Sequence, residues 1–247
     1  MLIDMHAHTS GISECCLGDA ETILKVAKEN GIDGIVLTNH YQRSYVRNDD
    51  VNELAKRYTD EYRMTKRLGD EIGVTVIYGM EVTMHRHDNS HLLVYGLPES
   101  FTEEFPEVYD MTQEELYTLV KSRGGLLIQA HPFRSGYYPL DPRFLDGYEL
   151  SSHPLYGTSA YNDVVSLAVK HGALLTTGAD YHYDVAYRPY CGAFLPDAVN
   201  DPKSLVEALI SADPITLSLH EPEDEKKYLV TYSRKDGTVK KEENEQA

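Results

Sequence analysis

A chain of 247 residues that is 41% hydrophobic and 26% charged carries enough apolar material for a sizeable core, and α/β barrels of about 200 to 250 residues fold as one unit. The formal net charge of −17 repels the phosphate backbone that supplies most affinity for nucleic acid, so a long DNA or RNA partner is disfavoured. Three cysteines, two of them adjacent as Cys15 and Cys16, cannot form the even framework of a disulfide-stapled secreted domain; with no basic, apolar leader and no membrane-length apolar run, a cytoplasmic location is expected.

Along the chain, short apolar runs alternate with amphipathic stretches. A strand over residues 2–6 precedes a helix over 20–30, a strand over 34–38 precedes a helix over 51–71, and a further strand spans 74–82. The pattern resumes with strand 92–97 and helix 114–122, strand 126–130, strand 148–151 and helix 161–171, then strand 173–177, helix 203–212 and strand 214–219. Asp19 is placed to cap the first helix, Thr112 with Glu115 makes a capping box, and Gly31, Gly124 and Gly172 follow helix ends. Seven or so strands of this kind predict an α/β fold, a distorted seven-stranded TIM-like (β/α) barrel; no Gly-x-Gly-x-x-Gly and no Walker-type loop supports an open nucleotide-binding sheet. From about residue 221 the sequence turns to charged residues, and the runs 228–234 and 238–241 flank Asp236-Gly237, a hairpin signal. The predicted organisation is a barrel domain over 1–220 with a C-terminal hairpin and solvated tail over 221–247.

What matters about the eleven histidines is where they fall relative to the strands. His6 and His8 close the first strand, His40 follows the second, Glu81 ends the third, His131 ends the strand over 126–130, and Asp180 and His182 follow the strand over 173–177. Carboxyl ends of parallel barrel strands gather on one face, where catalytic groups sit. Two residues apart on an extended segment, His6 and His8 point the same way, as do Asp180 and His182. Imidazole nitrogen and carboxylate oxygen together suit zinc, manganese or iron(II). His91 begins a strand instead of ending one, but only nine residues separate it from Glu81, too few for a parallel crossover. A hairpin is therefore predicted there, which returns His91 to the rim that holds Glu81 and distorts the barrel. A lone histidine is more often a hydrogen-bonded structural residue than a ligand, and His85, His87, His153, His171 and His220 fall on that side, although His153 follows a strand end and could face the pocket. Cys15 and Cys16 read as small buried hydrophobes, with thiolate ligation the lesser alternative.

With these residues in place, the chain resembles the PHP phosphoesterases (polymerase and histidinol phosphatase domains). The likeness runs through six ordered motifs: Asp4-Met5-His6-Ala7-His8-Thr9, Thr38-Asn39-His40, Gly79-Met80-Glu81, His91-Leu92-Leu93-Val94-Tyr95-Gly96, Ala130-His131-Pro132 and Gly178-Ala179-Asp180-Tyr181-His182. The resemblance implies a distorted seven-stranded barrel and up to three metal ions, with ligands matching His6, His8, Glu14, His40, Glu81, His91, His131, Asp180 and His182. Glu14 fits by spacing, with Asp19 or a neighbouring cysteine able to compete for its place. Asn39 stands where the motif usually reads Thr-Asp-His, which removes a carboxylate from near the ligands.

Such a centre predicts a metal-dependent phosphomonoesterase, a hydrolase acting on a small phosphorylated substrate. Three divalent cations would outweigh Glu14, Glu81 and Asp180 and attract a phosphate dianion. Metal coordination lowers the pKa of bound water from 15.7 to about 7, so a metal-activated hydroxide at a di- or trinuclear centre can attack phosphorus in line. Arg134, after Ala130-His131-Pro132-Phe133, and Arg43, after Asn39-His40-Tyr41-Gln42, are candidate phosphate contacts, because a guanidinium grips two oxygens. Phosphodiesterase or 3′ to 5′ exonuclease action is the alternative that the resemblance permits and the net charge disfavours. A non-catalytic metal-binding interaction module is countered by the complete ligand set. An amidohydrolase-type barrel also opens with His-x-His, but no lysine stands at a middle strand end to bridge two metals.

Overall fold

The computed structural model describes residues 1–134, 136–151, 160–182, 191–221 and 226–244. The first strand, β1 (Leu2–Ala7), is buried on both faces, as befits a parallel strand covered by helices. A loop leads to α1 (Ala20–Glu29), capped by Asp19, whose side chain accepts the Thr22 N–H. β2 (Gly34–Leu37), the short β3 (His40–Tyr41) and α2 (Val51–Ile72) follow, the last ending on left-handed Gly73. β4 (Thr75–Met84) turns directly into β5 (Ser90–Tyr95). After α3 (Phe101–Glu104) come α4 (Gln113–Ser122), with the predicted Thr112–Glu115 capping box, and β6 (Leu126–Gln129). β7 (Gly147–Ser151), α5 (Tyr161–His171), β8 (Leu174–Gly178) and β9 (Gly192–Phe194) lead to α6 (Pro202–Ser211). The last three strands are β10 (Ile215–Glu221), β11 (Lys226–Tyr232) and β12 (Val239–Glu243).

These strands form one sheet in the order β12-β11-β10-β9-β1-β2-β4-β5-β6-β7-β8, with β3 lying on β4. β1, β2 and β4 run parallel, as do β6, β7 and β8, while β5 is antiparallel to both its neighbours. The hairpin predicted between Glu81 and His91 is thus present. The sheet curls, and the carboxyl ends of its parallel strands share a rim with the amino end of β5. Where β8 returns to β1, the Asp180 N–H donates to His6 O at 2.9 Å and Ala7 bridges Tyr181.

The expected closed ring of seven strands does not form as a continuous ladder; among the described residues the sheet is a curled, open half-barrel. The cause lies at β1, where Leu2 and Ile3 pair with Phe194 and Ala193 of β9, leaving only the far end of that edge to meet β8. β9 pairs with β10, and β10, β11 and β12 continue the sheet as an antiparallel ribbon. The Asp236-Gly237 turn joins β11 to β12, with Gly237 left-handed at φ 68°.

Packing makes the rim possible. On the outer side, Tyr58 and Tyr62 of α2 meet Tyr78 of β4 edge-on, at 5.9 and 5.1 Å between centroids. At the β8–β1 contact a Cβ on Gly178 would sit 2.3 Å from His6 Cβ, so only glycine lets the end of β8 press against the strand that carries His6. No helix among the described residues is long and apolar enough to cross a membrane.

Candidate metal centre

Six strand ends deliver one buried cluster to the rim. Glu81, wholly buried on β4, lies at its middle: Oε2 is 2.6 Å from His40 Nδ1 and 3.4 Å from both His6 Nε2 and His8 Nε2. Its other oxygen is 2.7 Å from His91 Nδ1 and 3.3 Å from His131 Nε2. Asp180 Oδ1 lies 3.0 Å from His8 Nε2, 3.4 Å from His6 Nε2 and 3.5 Å from His182 Nδ1. Three sets have ligand atoms within 4.8 Å of one another: His6, His8, Glu81 and Asp180; His40, Glu81 and His91; and His8, His40 and His182. His131 and Asp180 occupy left-handed backbone, at φ 30° and 48°, a conformation that costs energy for a residue with a Cβ and recurs where function fixes a side chain.

A layer of buried polar groups orients these donors. His6 Nδ1 lies 2.8 Å from Glu149 Oε1; a carboxylate accepts, so Nδ1 carries a proton and Nε2 is the atom turned to Glu81 and Asp180. The other Glu149 oxygen accepts the His131 N–H at 3.1 Å. His8 is positioned on its Nδ1 side by Ser13. The Thr9 N–H fixes Asn39 Oδ1 as an acceptor, Ser13 Oγ donates to that same oxygen at 2.8 Å, and it accepts the His40 N–H at 3.0 Å. His8 is thus held from both sides, its Nδ1 3.0 Å from Ser13 Oγ and its Nε2 3.0 Å from Asp180 Oδ1.

The electrostatics match a site made for cations. Burial opposes charge on His6, but Glu149, Asp180 and Glu81 outweigh it and hold the imidazole well above its ordinary range. Burial, with His182 and His40 alongside, holds His8 well below. Against burial, Glu81 and Cys15 lift His40 to about 10. Glu81 and Asp180 stay far below the usual carboxylate range despite their burial, because the imidazoles around them favour the ionised form. His6 Nε2, His40 Nδ1, His91 Nδ1, His131 Nδ1 and Glu81 Oε2 are buried with no well-aligned hydrogen bond. Buried carboxylates and imidazole nitrogens without hydrogen bonds are what a coordinated cation, taking the place of protons, satisfies.

Of the predicted residues, His6, His8, His40, Glu81, His91, His131, Asp180 and His182 are brought together. Glu14 is not: its side chain is 61% exposed and 3.9 Å from Arg47. Next to it, Cys15 is exposed; burial would raise its thiol, but the nearby His182 and His40 imidazoles bring it down to about 6. Asp19 is occupied as a helix cap. Arg43 is also turned away from the cluster, its guanidinium 2.7 Å from Asp110. Arg134 borders the cluster, packed at 5.6 Å over the Tyr137 ring, which lies 5.5 Å from His91 and 5.9 Å from His131. His85 and His87 accept the Arg43 and Gln113 backbone N–H groups, and His153 lies outside the described residues.

The profile of the PHP domain matches residues 4–138, more than half of this sequence. The chain belongs to the PHP domain family. Among relatives of this PHP chain, the uncharacterized protein MJ1587 of Methanocaldococcus jannaschii is 28% identical over 155 residues, covering 59% of this chain and 76% of the relative. PsfC from Pseudomonas syringae has a similar structure, with a TM-score of 0.58 and 20% identity over 84% of this chain and 87% of its own. A candidate metal-dependent phosphoesterase from Bifidobacterium adolescentis gives 0.53 and 15% (84% and 95% covered), and an amidohydrolase from Chromobacterium violaceum, solved with sulfate and no metal, gives 0.55 and 13% (84% and 96%). At these identities the likeness is one of fold.

Several residues of this PHP site escaped the sequence reading. Glu149 is the only acidic residue inside the β7 segment, a buried-strand carboxylate that could have been flagged. Asp4 Oδ1 accepts the N–H groups of His6 and Ala179, both at 3.0 Å, tying β1 to the exit of β8; burial pushes its carboxyl up to about 7. Asn39 does not leave a gap among the ligands: its amide holds Thr9 and Ser13, and its Nδ2 donates to Thr9 Oγ1 at 2.9 Å. Thr9 passes its own hydrogen to Glu61 at 2.6 Å.

Proposed function

We propose that this PHP chain is a metal-dependent hydrolase that cleaves phosphate monoesters of small molecules at a centre of two or three divalent cations. What supports it above all is the direction of two ligand atoms: with both Nδ1 atoms engaged by Glu149 and Ser13, His6 Nε2 and His8 Nε2 face the Glu81 and Asp180 carboxylates. Set among anionic oxygens at 3.0 to 3.4 Å, these nitrogens converge on a place for positive charge, filled by a cation once protons leave.

His6, His8, Glu81 and Asp180 would hold one ion, Glu81 with His91 and His131 a second, and His40 with His182 a third. Zinc, manganese or iron(II) bound there would supply an activated water at neutral pH and polarise a phosphoryl oxygen. Glu81 and Asp180 bring two negative charges against the larger positive charge of such ions, so the site favours a dianion. Arg134 borders the His131 side, where its guanidinium can take two phosphoryl oxygens of a bound monoester. A net charge of −17 selects a small substrate over a polynucleotide.

The test is phosphate release from a chromogenic aryl phosphate and from a metabolite panel, beside hydrolysis of single-stranded DNA. Monoester turnover that chelation abolishes, that zinc, manganese or iron restores, and that His131→Ala and Asp180→Ala lack is the expected result. Undiminished turnover by metal-stripped protein would overturn the reading, and activity on DNA alone would replace it with a nuclease.

A further inference from the structure

We propose that Glu61, on α2 and outside the cluster, is a positioning residue of the metal centre that acts through Thr9, Asn39 and Ser13 on His8 and His40; this rests on the metal-centre reading above. Counting hydrogens along the chain of contacts carries it. The Thr9 N–H reaches Asn39 Oδ1 at 2.7 Å, which fixes that atom as the amide oxygen and its twin as the nitrogen. Ser13 Oγ gives its hydrogen to the same oxygen at 2.8 Å, accepts the His40 N–H at 3.0 Å and lies 3.0 Å from His8 Nδ1. Asn39 Nδ2 donates to Thr9 Oγ1 at 2.9 Å, so the Thr9 hydroxyl hydrogen is turned away from Asn39 and goes to Glu61 Oε1 at 2.6 Å. Thr9, Ser13 and Asn39 are buried, and each of these hydrogens depends on a protein acceptor.

Two further features build Glu61 into this place. A Cβ at Gly11 would overlap the Glu61 carboxyl group, whose three atoms are its nearest neighbours; glycine there leaves the carboxylate its room. One turn earlier on α2, the Tyr58 hydroxyl lies 2.9 Å from both Asn39 O and Gly79 O. Residues three apart on one helix face thus hold Asn39 by its backbone and, through Thr9, by its side chain. The amide at position 39 and the carboxylate at position 61 are therefore complementary: one gives a hydrogen to Thr9 and the other takes one away. A carboxylate at position 39 would compete with Glu61 for a single hydroxyl hydrogen. An amide at position 61 would then settle the conflict by reversing the order, donating to Thr9 while Thr9 donates to position 39.

The test is a cycle of four proteins: the unmodified chain, Glu61→Gln, Asn39→Asp and the double variant. Each is stripped of metal and titrated with cobalt(II) against a chromophoric chelator, and the visible ligand-field absorption is recorded. Groups that orient ligands are worth about 10- to 100-fold in metal affinity, and exchange of one acceptor for another belongs at the low end. Glu61→Gln alone should weaken binding by about tenfold; in the Asn39→Asp background it should strengthen binding by about tenfold and return the absorption toward that of the unmodified chain. Circular dichroism checks the fold of each variant. Should Asn39→Asp fail to fold, Gly11→Ala decides: it should weaken binding in the unmodified chain and leave it unchanged in Glu61→Ala protein. Equal shifts from Glu61→Gln in both backgrounds, or a Gly11→Ala effect that is the same with and without the Glu61 side chain, overturn the positioning role and leave the metal centre standing. An unmodified chain that takes up no cobalt overturns both.

Discussion

The metal rim and the antiparallel ribbon β10–β12 belong to one sheet but are built on different terms. In the ribbon the ladder runs in unbroken register from Ile215–Tyr232 to Glu221–Lys226, with Leu217, Leu219 and Val230 buried against the core. At the rim two non-glycine residues take left-handed backbone, two ionised carboxylates are buried among imidazoles, and several nitrogens lack hydrogen bonds. Backbone strain at non-glycine residues is tolerated where it shapes a binding site and, among the described residues, is absent from the strands of the ribbon.

Breaking that contrast at its centre should have the largest effect. Glu81 belongs to two of the three donor sets, so Glu81→Gln removes charge from both while preserving shape. Residues that merely orient ligands are worth about 10- to 100-fold in metal affinity or activity, so loss of the ligand itself should exceed about a hundredfold. Metal content and phosphate release read it, and retained activity with full metal content would dissolve the contrast. Glu149→Gln should follow at about 10- to 100-fold in metal affinity, since the amide no longer draws the His6 Nδ1 proton with a full charge. Competition with a chromophoric chelator measures it; unchanged affinity would mean that the β7 carboxylate serves only the fold.

The difference between these two residues also marks what was legible in the sequence. Glu81 and His91 could be placed because nine intervening residues leave room for a hairpin and nothing longer. Glu149 could not, because its partners His6 and His131 are distant in the chain and only the curl of the sheet brings them to it. Glu14, expected at the cluster, and Cys15, expected to be buried, are both exposed for another reason: periodicity governs which way a strand residue points, but in the loop after β1 individual turn hydrogen bonds decide, and those have no sequence period. β9 is three residues long, too short for an alternation signal, yet it prevents β8 from laddering onto β1. The rim was legible because ligands cluster at strand ends; ring closure was not, because it turned on that short segment.

Proton linkage gives a middle-sized effect of calculable sign. In the metal-free chain His6 is held well above its ordinary value and His40 at about 10. Both are raised, so the stability they contribute is fully present below the ordinary histidine value of about 6.5 and is lost as pH rises through the folded values. Metal-free protein should therefore lose stability from about pH 6.5 toward pH 10. Metal affinity should rise over the same range, because each ion must displace protons. Calorimetric titration in two buffers of different protonation enthalpy counts those protons; a proton-independent binding isotherm would show that His6 and His40 do not bind the ion.

The smallest effect lies in the ribbon. The Tyr232 hydroxyl, on β11, points at Ala168 O at 3.1 Å and Ala173 O at 3.0 Å, and so joins the ribbon to the end of α5 and the start of β8. Tyr232→Phe removes one shared donor while keeping the ring in place. Water cannot easily replace it at a buried site, so the loss should be about 1 kcal/mol and the melting temperature should fall by about 2–4 °C. Metal stoichiometry and turnover should stay at the unmodified level, since β8 reaches the cluster through Gly178 and Asp180 and not through its first residue. A drop in metal affinity in this variant, at unchanged fold, would show that the ribbon sets the position of β8 against β1, and the division between a strained rim and a purely supporting ribbon would no longer hold.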